Sequence, residues 1–130
     1  MYITRESDYG VRCVIYLSRN PQSIVPVNEI AKSMHIPKTF LAKILQRLAK
    51  AGIVKSVRGV GGGFSLLKKP ADISMLDVIK AIQGECAINI CAVNAKVCRL
   101  SRSCSVHPIW VELRHIMVER LRKENFAKLI

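Results

Sequence analysis

Cys91, Cys98, Cys104 and His107 fall within 17 positions, in the segment INICAVNAKVCRLSRSCSVHPIW. Their spacing is C-x6-C-x5-C-x2-H, in a basic stretch with neither helical nor strand periodicity. Thiolates and imidazole are transition-metal ligands, but structural zinc sites ordinarily take two sulfurs from a tight knuckle. Gaps of six and five make a looser loop, suited to wrapping an iron–sulfur cluster, where histidine can replace a thiolate. The spacing leaves iron–sulfur and zinc both open. Five cysteines, four of them between positions 86 and 104, are not the even, dispersed set of a secreted disulfide scaffold, although a switchable thiol pair stays open. Burial as a small apolar residue suits Cys13 but not three cysteines in a polar, basic loop. Cys86, just after Gly84, could be core, spare ligand or disulfide partner.

The elements around this loop follow from periodicity and punctuation. Ser7 is a candidate cap for a first helix with Val11, Val14, Ile15 and Leu17 on its apolar side. NPQSIVP reads as a loop, VNEIAKSM as a short helix, and HIP as a turn. A further helix from Pro37 or Lys38 carries Leu41, Ile44, Leu45 and Leu48 inward and ends at Gly52. IVKSVR and FSLLK read as short strands joined by GVGGG. Ser74 and Asp77 resemble a capping box for MLDVIKAIQ, with Gly84 as its stop. After the cysteine loop, Pro108 opens a last helix of about 20 residues, roughly 30 Å, with apolar positions at Ile109, Trp110, Leu113, Ile116, Met117 and Leu121. So long an amphipathic helix either folds back on its own domain or packs against a second copy; a homodimer is the expectation.

Helix, short helix, turn, helix and hairpin is the order of a winged helix-turn-helix, whose second helix of the pair enters the DNA major groove. Lys38, Thr39 and Lys43 lie on the early, polar part of that helix, and Thr39 and Lys43 share a face. Lys43 could equally be a solvated surface residue. The tip RGVGGGF is neither a dinucleotide fingerprint nor a P-loop, because no helix and no Lys-Ser/Thr follows it. As a wing tip it makes sense: Gly59, Gly61 and Gly62 allow a tight turn near the DNA backbone, and Arg58 is placed for the minor groove.

Charge agrees with this reading. The chain carries +12 overall, and residues 1–70 hold 12 Lys/Arg against three acids. A basic first half suits nucleic acid. No apolar run reaches membrane-span length and the start MYITRESDYG has no signal core, so the expectation is a cytoplasmic protein with no membrane partner. Nothing in the chain forms a paired carboxylate set or nucleophile–base arrangement, so an enzyme is not expected.

With DYGVR, EIAKSMHIPKTFLAKILQRLAKAGIVKSVRGVGGGFSLLK and the three cysteines before a long helix, nearly the whole chain resembles the Rrf family of bacterial winged-helix regulators. The resemblance implies a dimer that binds palindromic promoter sites in double-stranded DNA and, in cysteine-bearing members, senses through an iron–sulfur cluster held by the counterparts of Cys91, Cys98 and Cys104. His107 falls where a histidine completes a 2Fe–2S site in members of the IscR type. Asp8 falls where an aspartate of the other subunit completes a 4Fe–4S site in the NsrR type. His107 adjoins the cysteines, which favours it and the 2Fe–2S form. Ala42 stands where the IscR type carries a glutamate, so the operator sequence does not carry over.

The expected fold is therefore mainly α with a small β wing: a winged helix-turn-helix over 1–70, then a cluster-binding loop and a long C-terminal dimerisation helix over 71–130, as one continuous small protein. The expected function is a transcriptional regulator, a repressor by default, whose DNA affinity the cluster controls. A zinc or thiol–disulfide switch on the same body is the alternative, and a small electron-transfer protein has no use for a glycine wing.

Overall fold

The computed structural model describes residues 1–130. Three helices, α1 (Arg5–Arg19), α2 (Val27–Met34) and α3 (Lys38–Lys50), precede an antiparallel hairpin of β1 (Val54–Val57) and β2 (Gly63–Leu66). Two more helices follow, α4 (Met75–Gln83) and α5 (His107–Lys123). The chain is thus mainly helical with a two-stranded wing, as the sequence predicts.

Most helix boundaries follow the sequence signals. The α3 helix starts after Pro37 and stops at Gly52, whose φ of 76° is the left-handed stop that glycine tolerates. The Ser74–Asp77 capping box is formed at α4, with Ser74 Oγ accepting from the Asp77 amide at 3.1 Å and Asp77 Oδ2 accepting from the Ser74 amide at 2.9 Å. The α1 boundary differs. Thr4, not Ser7, is the cap: its hydroxyl accepts from the Ser7 amide at 3.1 Å, and Ser7 is buried in the first turn. Thr4 is held there by Gln83, whose Oε1 accepts from the Thr4 amide at 3.1 Å. A contact from α4 therefore moves the start of α1 three residues upstream of the sequence expectation.

The apolar stripes converge on one core. Leu41, Ile44, Leu45 and Leu48 of α3 meet Cys13, Val14 and Leu17 of α1 and Ile30 of α2, all essentially fully buried. Each such aliphatic side chain contributes roughly 1.5–3 kcal/mol by leaving water. This core crosses residue 70, because Ile73, Val78, Ile82 and Phe126 belong to it. Gly10 of α1 lets α4 approach closely, since a Cβ there would collide with the Ile82 side chain. A second cluster joins Leu76 and Ile79 of α4 to Cys86 and Val118, with Met117 and Leu121 against it.

The last helix runs 17 residues and folds back on α4 through this second cluster. It also leaves Ile109, Leu113 and Ile116, spaced four and three apart, exposed on another face. The helix thus folds back on its own domain, and this stripe is left uncovered within the single chain. Beyond α5 the chain is tied down again: the Met75 amide donates to the Glu124 carbonyl at 2.8 Å and the Phe126 amide to the Pro70 carbonyl at 3.1 Å. No helix is long and apolar enough to cross a membrane.

In the wing, Val54 pairs with Leu66 and Val57 with Gly63. A further rung comes from the segment before α2: the Val25 amide donates to the Phe64 carbonyl at 2.8 Å and the Phe64 amide to the Val25 carbonyl at 2.9 Å. Gly63 makes this rung possible, because the Val25 carbonyl occupies the space a Cβ would take. Gly63→Ala is therefore expected to lower unfolding free energy by about 1–3 kcal/mol, as overpacking does. Denaturant titration of the variant against the parent checks this.

Candidate nucleic-acid interface and metal centre

Burying Leu41, Ile44, Leu45 and Leu48 turns the opposite face of α3 to solvent. Lys38, Thr39 and Lys43 are all exposed on it. The stripe extends further than the sequence reading took it, to Gln46 and Lys50, which line one shallow cleft with Lys43 and Arg47. The spacing from Thr39 through Lys43 and Gln46 to Lys50 is four, three and four, the helical signal that would have found them. Arg47 has a different task. Its Nη1 lies 3.0 Å from Glu6 Oε2 and donates to the Ile82 carbonyl at 3.1 Å, which clamps α3 to α1 and α4.

At the wing tip Arg58, Gly59 and Gly61 are exposed, and Gly62 is half-buried where the carbonyls of Val57 and Gly59 take the space a Cβ would need. Lys38, Lys43 and Arg58 take part in none of the molecule's ion pairs. A cleft of about 410 Å³ separates helix from wing, with Asn28, Lys38, Ser56 and Gly62 on its walls. Of the predicted residues, the fold brings Lys38 of the helix and Gly62 of the wing onto the walls of one cleft, while Lys43 lies in a separate one farther along α3.

The cysteine loop is built from short 3-10 turns. Cys91 lies in the turn Ile90–Ala92, which packs on α5. His107 is the first residue of α5, where Pro108 suits the first turn. Its Nδ1 stands 3.3 Å from Cys91 Sγ. Cys98 closes a second turn, Ala95–Val97, and is exposed, whereas Cys91 and Cys104 are half-buried. All five cysteines are free thiols, and no three ligand-type side chains converge. The structure gathers Cys91 with His107 and leaves Cys98 and Cys104 apart. In donor chemistry, three thiols and an imidazole would fit an iron–sulfur cluster; in position, the contact present is that of Cys91 with His107.

Asp8 is not part of this group. Its carboxylate meets Arg12 Nη2 at 2.7 Å and Arg5 Nη1 at 3.9 Å, at the start of α1. Cys13 and Cys86 are core residues. Burial pushes the Cys13 thiol up to about 12, and it pushes Cys86 up as well, with the neighbouring Glu85 charge adding to it. Both thiols stay neutral and unreactive.

Glu85 anchors the loop's first end. It lies 3.0 Å from Lys80 Nζ of α4 and 2.7 Å from Arg114 Nη2 of α5. These hydrogen bonds, Lys80's first, hold its carboxyl below the ordinary glutamate value.

Comparison with known proteins supplies context. A family model described as "Rrf2: Iron-dependent Transcriptional regulator" matches residues 3–130. A protein of Aquifex aeolicus named among the HTH-type transcriptional regulators is 38% identical over 124 residues, spanning 94% of this chain and 86% of the relative. The HTH-type transcriptional regulator NsrR of Bacillus subtilis is 31% identical over 123 residues, spanning 93% of this chain and 80% of the relative. Among solved structures, T. potens IscR superposes with a TM-score of 0.76 at 25% identity, covering 99% of this chain and 85% of that one. CymR, the global cysteine regulator of B. subtilis, gives 0.79 at 22% identity, covering 99% and 95%, a likeness of fold.

Because the folded Glu85 carboxyl lies lower than the unfolded one, its contribution to stability is present above the ordinary value of 4.5 and is lost as pH falls through the lowered value. Thermal melts should therefore show Glu85→Gln less stable than the parent at neutral pH, with the gap closing in acid. A gap that persists unchanged in acid contradicts the ion-pair anchor.

Proposed function

The chain belongs to the Rrf2 family of transcriptional regulators, and from that premise we propose that it is a cytoplasmic homodimer that binds palindromic promoter DNA, as a repressor, under the control of an iron–sulfur cluster held by Cys91, Cys98, Cys104 and His107. The observation that carries the cluster assignment is the approach of His107 to Cys91 at the mouth of α5, with two more thiols in the loop between them. His107 adjoins the cysteines of its own chain, whereas Asp8 would have to come from the other subunit, which favours His107 as fourth ligand and the 2Fe–2S form over 4Fe–4S.

In this reading α3 lies in the major groove. Thr39 and Lys43 reach base edges or phosphates there, and Gln46 and Lys50 continue the contact along the helix. Arg58 enters the minor groove, where the glycines at 59, 61 and 62 let the tip approach. The groove between Lys38 and the wing takes the sugar–phosphate strand that runs between those two contacts. The exposed stripe of Ile109, Leu113 and Ile116 is the surface buried between two copies, and it sets the spacing of the two reading helices.

When bound, the cluster supplies a cross-link sensitive to oxygen, nitric oxide and iron supply. The chain's own residues do the rest. His107 orients at the first turn of α5 and meets Cys91, so ordering of the loop is passed directly to the helix that carries the dimer stripe. Lys96, Arg99 and Arg102 repel one another in the loop and favour its opening when the sulfurs are released. A small rotation of α5 is enough, because both half-sites must match one turn of DNA. A second reading, a zinc or thiol–disulfide switch, is favoured by the exposed Cys98 and the half-assembled ligand set.

Lys43→Ala is expected to weaken operator binding by about 1–3 kcal/mol if Lys43 reads a base and uniformly across sequences if it meets phosphate. Arg58→Ala should weaken binding most at sites with narrow A·T-rich minor grooves. Fluorescence anisotropy across a set of duplexes and salt concentrations separates these outcomes. For the switch, Cys91→Ala and Cys104→Ala proteins should bind the operator equally under anaerobic and nitric-oxide-treated conditions, where the parent differs. Variants that still respond as the parent does would overturn the assignment.

A further inference from the structure

Cys98 is the one exposed thiol among the five. It lines a cavity of about 460 Å³ together with Ala95, Lys96, Arg99, Ser101 and Arg102. Local hydrogen bonds shape the turn that lines this cavity: the Ser101 hydroxyl donates to the Ala95 carbonyl at 2.9 Å and Asn94 Oδ1 accepts from the Lys96 amide at 3.1 Å. Its three cations are uncompensated. None of Lys96, Arg99 and Arg102 joins an ion pair, and residues 86–111 contain no Asp or Glu at all. A reachable sulfur thus sits within a compact cationic bowl large enough for a small molecule. The other two loop thiols differ: Cys91 is half-buried against His107, and Cys104 is half-buried before α5.

We propose that this bowl is a docking site for small anionic disulfides, and that Cys98 forms a mixed disulfide with one half of them. The class of partner is a low-molecular-weight disulfide bearing carboxylates. Its carboxylates settle on Lys96, Arg99 and Arg102, which places its sulfur–sulfur bond beside Cys98. The Cys98 sulfur, as thiolate, attacks one sulfur of that bond, which breaks as the Cys98–sulfur bond forms. The other half leaves as a thiolate and takes up the proton that Cys98 released. The incoming disulfide is the oxidant, Cys98 is oxidised, and the departing half is reduced, so no further reagent is needed.

The site stands without any cluster, because it requires only the metal-free chain. Its regulatory consequence rests on the function proposed above: a blocked Cys98 withholds one of the three cluster sulfurs, so the adduct and the cluster exclude each other.

The test is the rate of adduct formation at each cysteine of the full-length, metal-free, reduced protein, followed by peptide mass spectrometry. Three reagents are compared: oxidised glutathione (anionic), 2-hydroxyethyl disulfide (neutral) and cystamine (cationic). Once each reagent's intrinsic rate on a free cysteine peptide is divided out, Cys98 should prefer oxidised glutathione over cystamine on the order of tenfold at low salt. That preference should fall with added salt, and it should be small at Cys91 and Cys104, which share the same net charge of the protein. Lys96→Gln/Arg99→Gln/Arg102→Gln should abolish the preference once each rate is divided by the same variant's rate with the neutral reagent at Cys98, which corrects for any change in thiolate fraction. An equal preference at all three loop cysteines would assign the effect to overall charge, and no preference at Cys98 would remove the site. Either result overturns the proposal.

Discussion

The α4 helix is buried on two faces, and everything else in the molecule is positioned by that. One face sends Val78 and Ile82 into the core beneath α1 and α3, and Gly10 is the residue that lets it come so near. The other face sends Leu76 and Ile79 against Cys86 and Val118. Arg47 adds a charged clamp from α3 to the end of α4 through the Ile82 carbonyl. A nine-residue helix capped by Ser74 and Asp77 is thereby the joint between the α1–α3 core with its β hairpin and the α5 helix. Any displacement of α5 against α4 is a displacement relative to α3.

The cysteine loop is the opposite kind of structure. Its two ends are fixed, one by Glu85 between Lys80 and Arg114 with Cys86 buried beside it, the other by His107 at the first turn of α5. Between them Ile88, Ile90, Val97 and Leu100 are exposed, and the turns are shaped by local backbone hydrogen bonds together with those that Asn89 and Asn94 accept and Ser101 donates. Few buried contacts and exposed backbone bonds mean that little free energy opposes local opening. A switch placed there can be thrown by chemistry at sulfur without unfolding the joint.

How much of this was legible in the sequence depends on whether a signal was local. The apolar stripe of α3, the stop at Gly52, the capping box at Ser74 and the glycine wing are local patterns, and each appears where its pattern puts it. The start of α1 was misplaced because Gln83, far along the chain, selects Thr4 as the cap. The Val25–Phe64 rung was invisible for the same reason. The α5 stripe could be read but not assigned, since amphipathic spacing does not say which apolar positions face α4 and which face outward. In the site, the cysteines announced themselves by clustering, whereas the contact of Cys91 with His107 depends on how the turns fold back. Gln46 and Lys50 were missed although their helical spacing to Lys43 was in plain view.

The central claim is that sulfur ligation in the 85–107 loop governs DNA affinity through α5. Its most direct measurement is operator binding by protein purified and kept without oxygen, with iron and acid-labile sulfide counted in the same sample before and after the cluster is removed by chelation. The account predicts a coloured protein with iron and sulfide in equal amounts per loop, and a clear change in operator affinity once both are gone. Protein that carries no sulfide even after reconstitution, and grips its operator the same throughout, would contradict it.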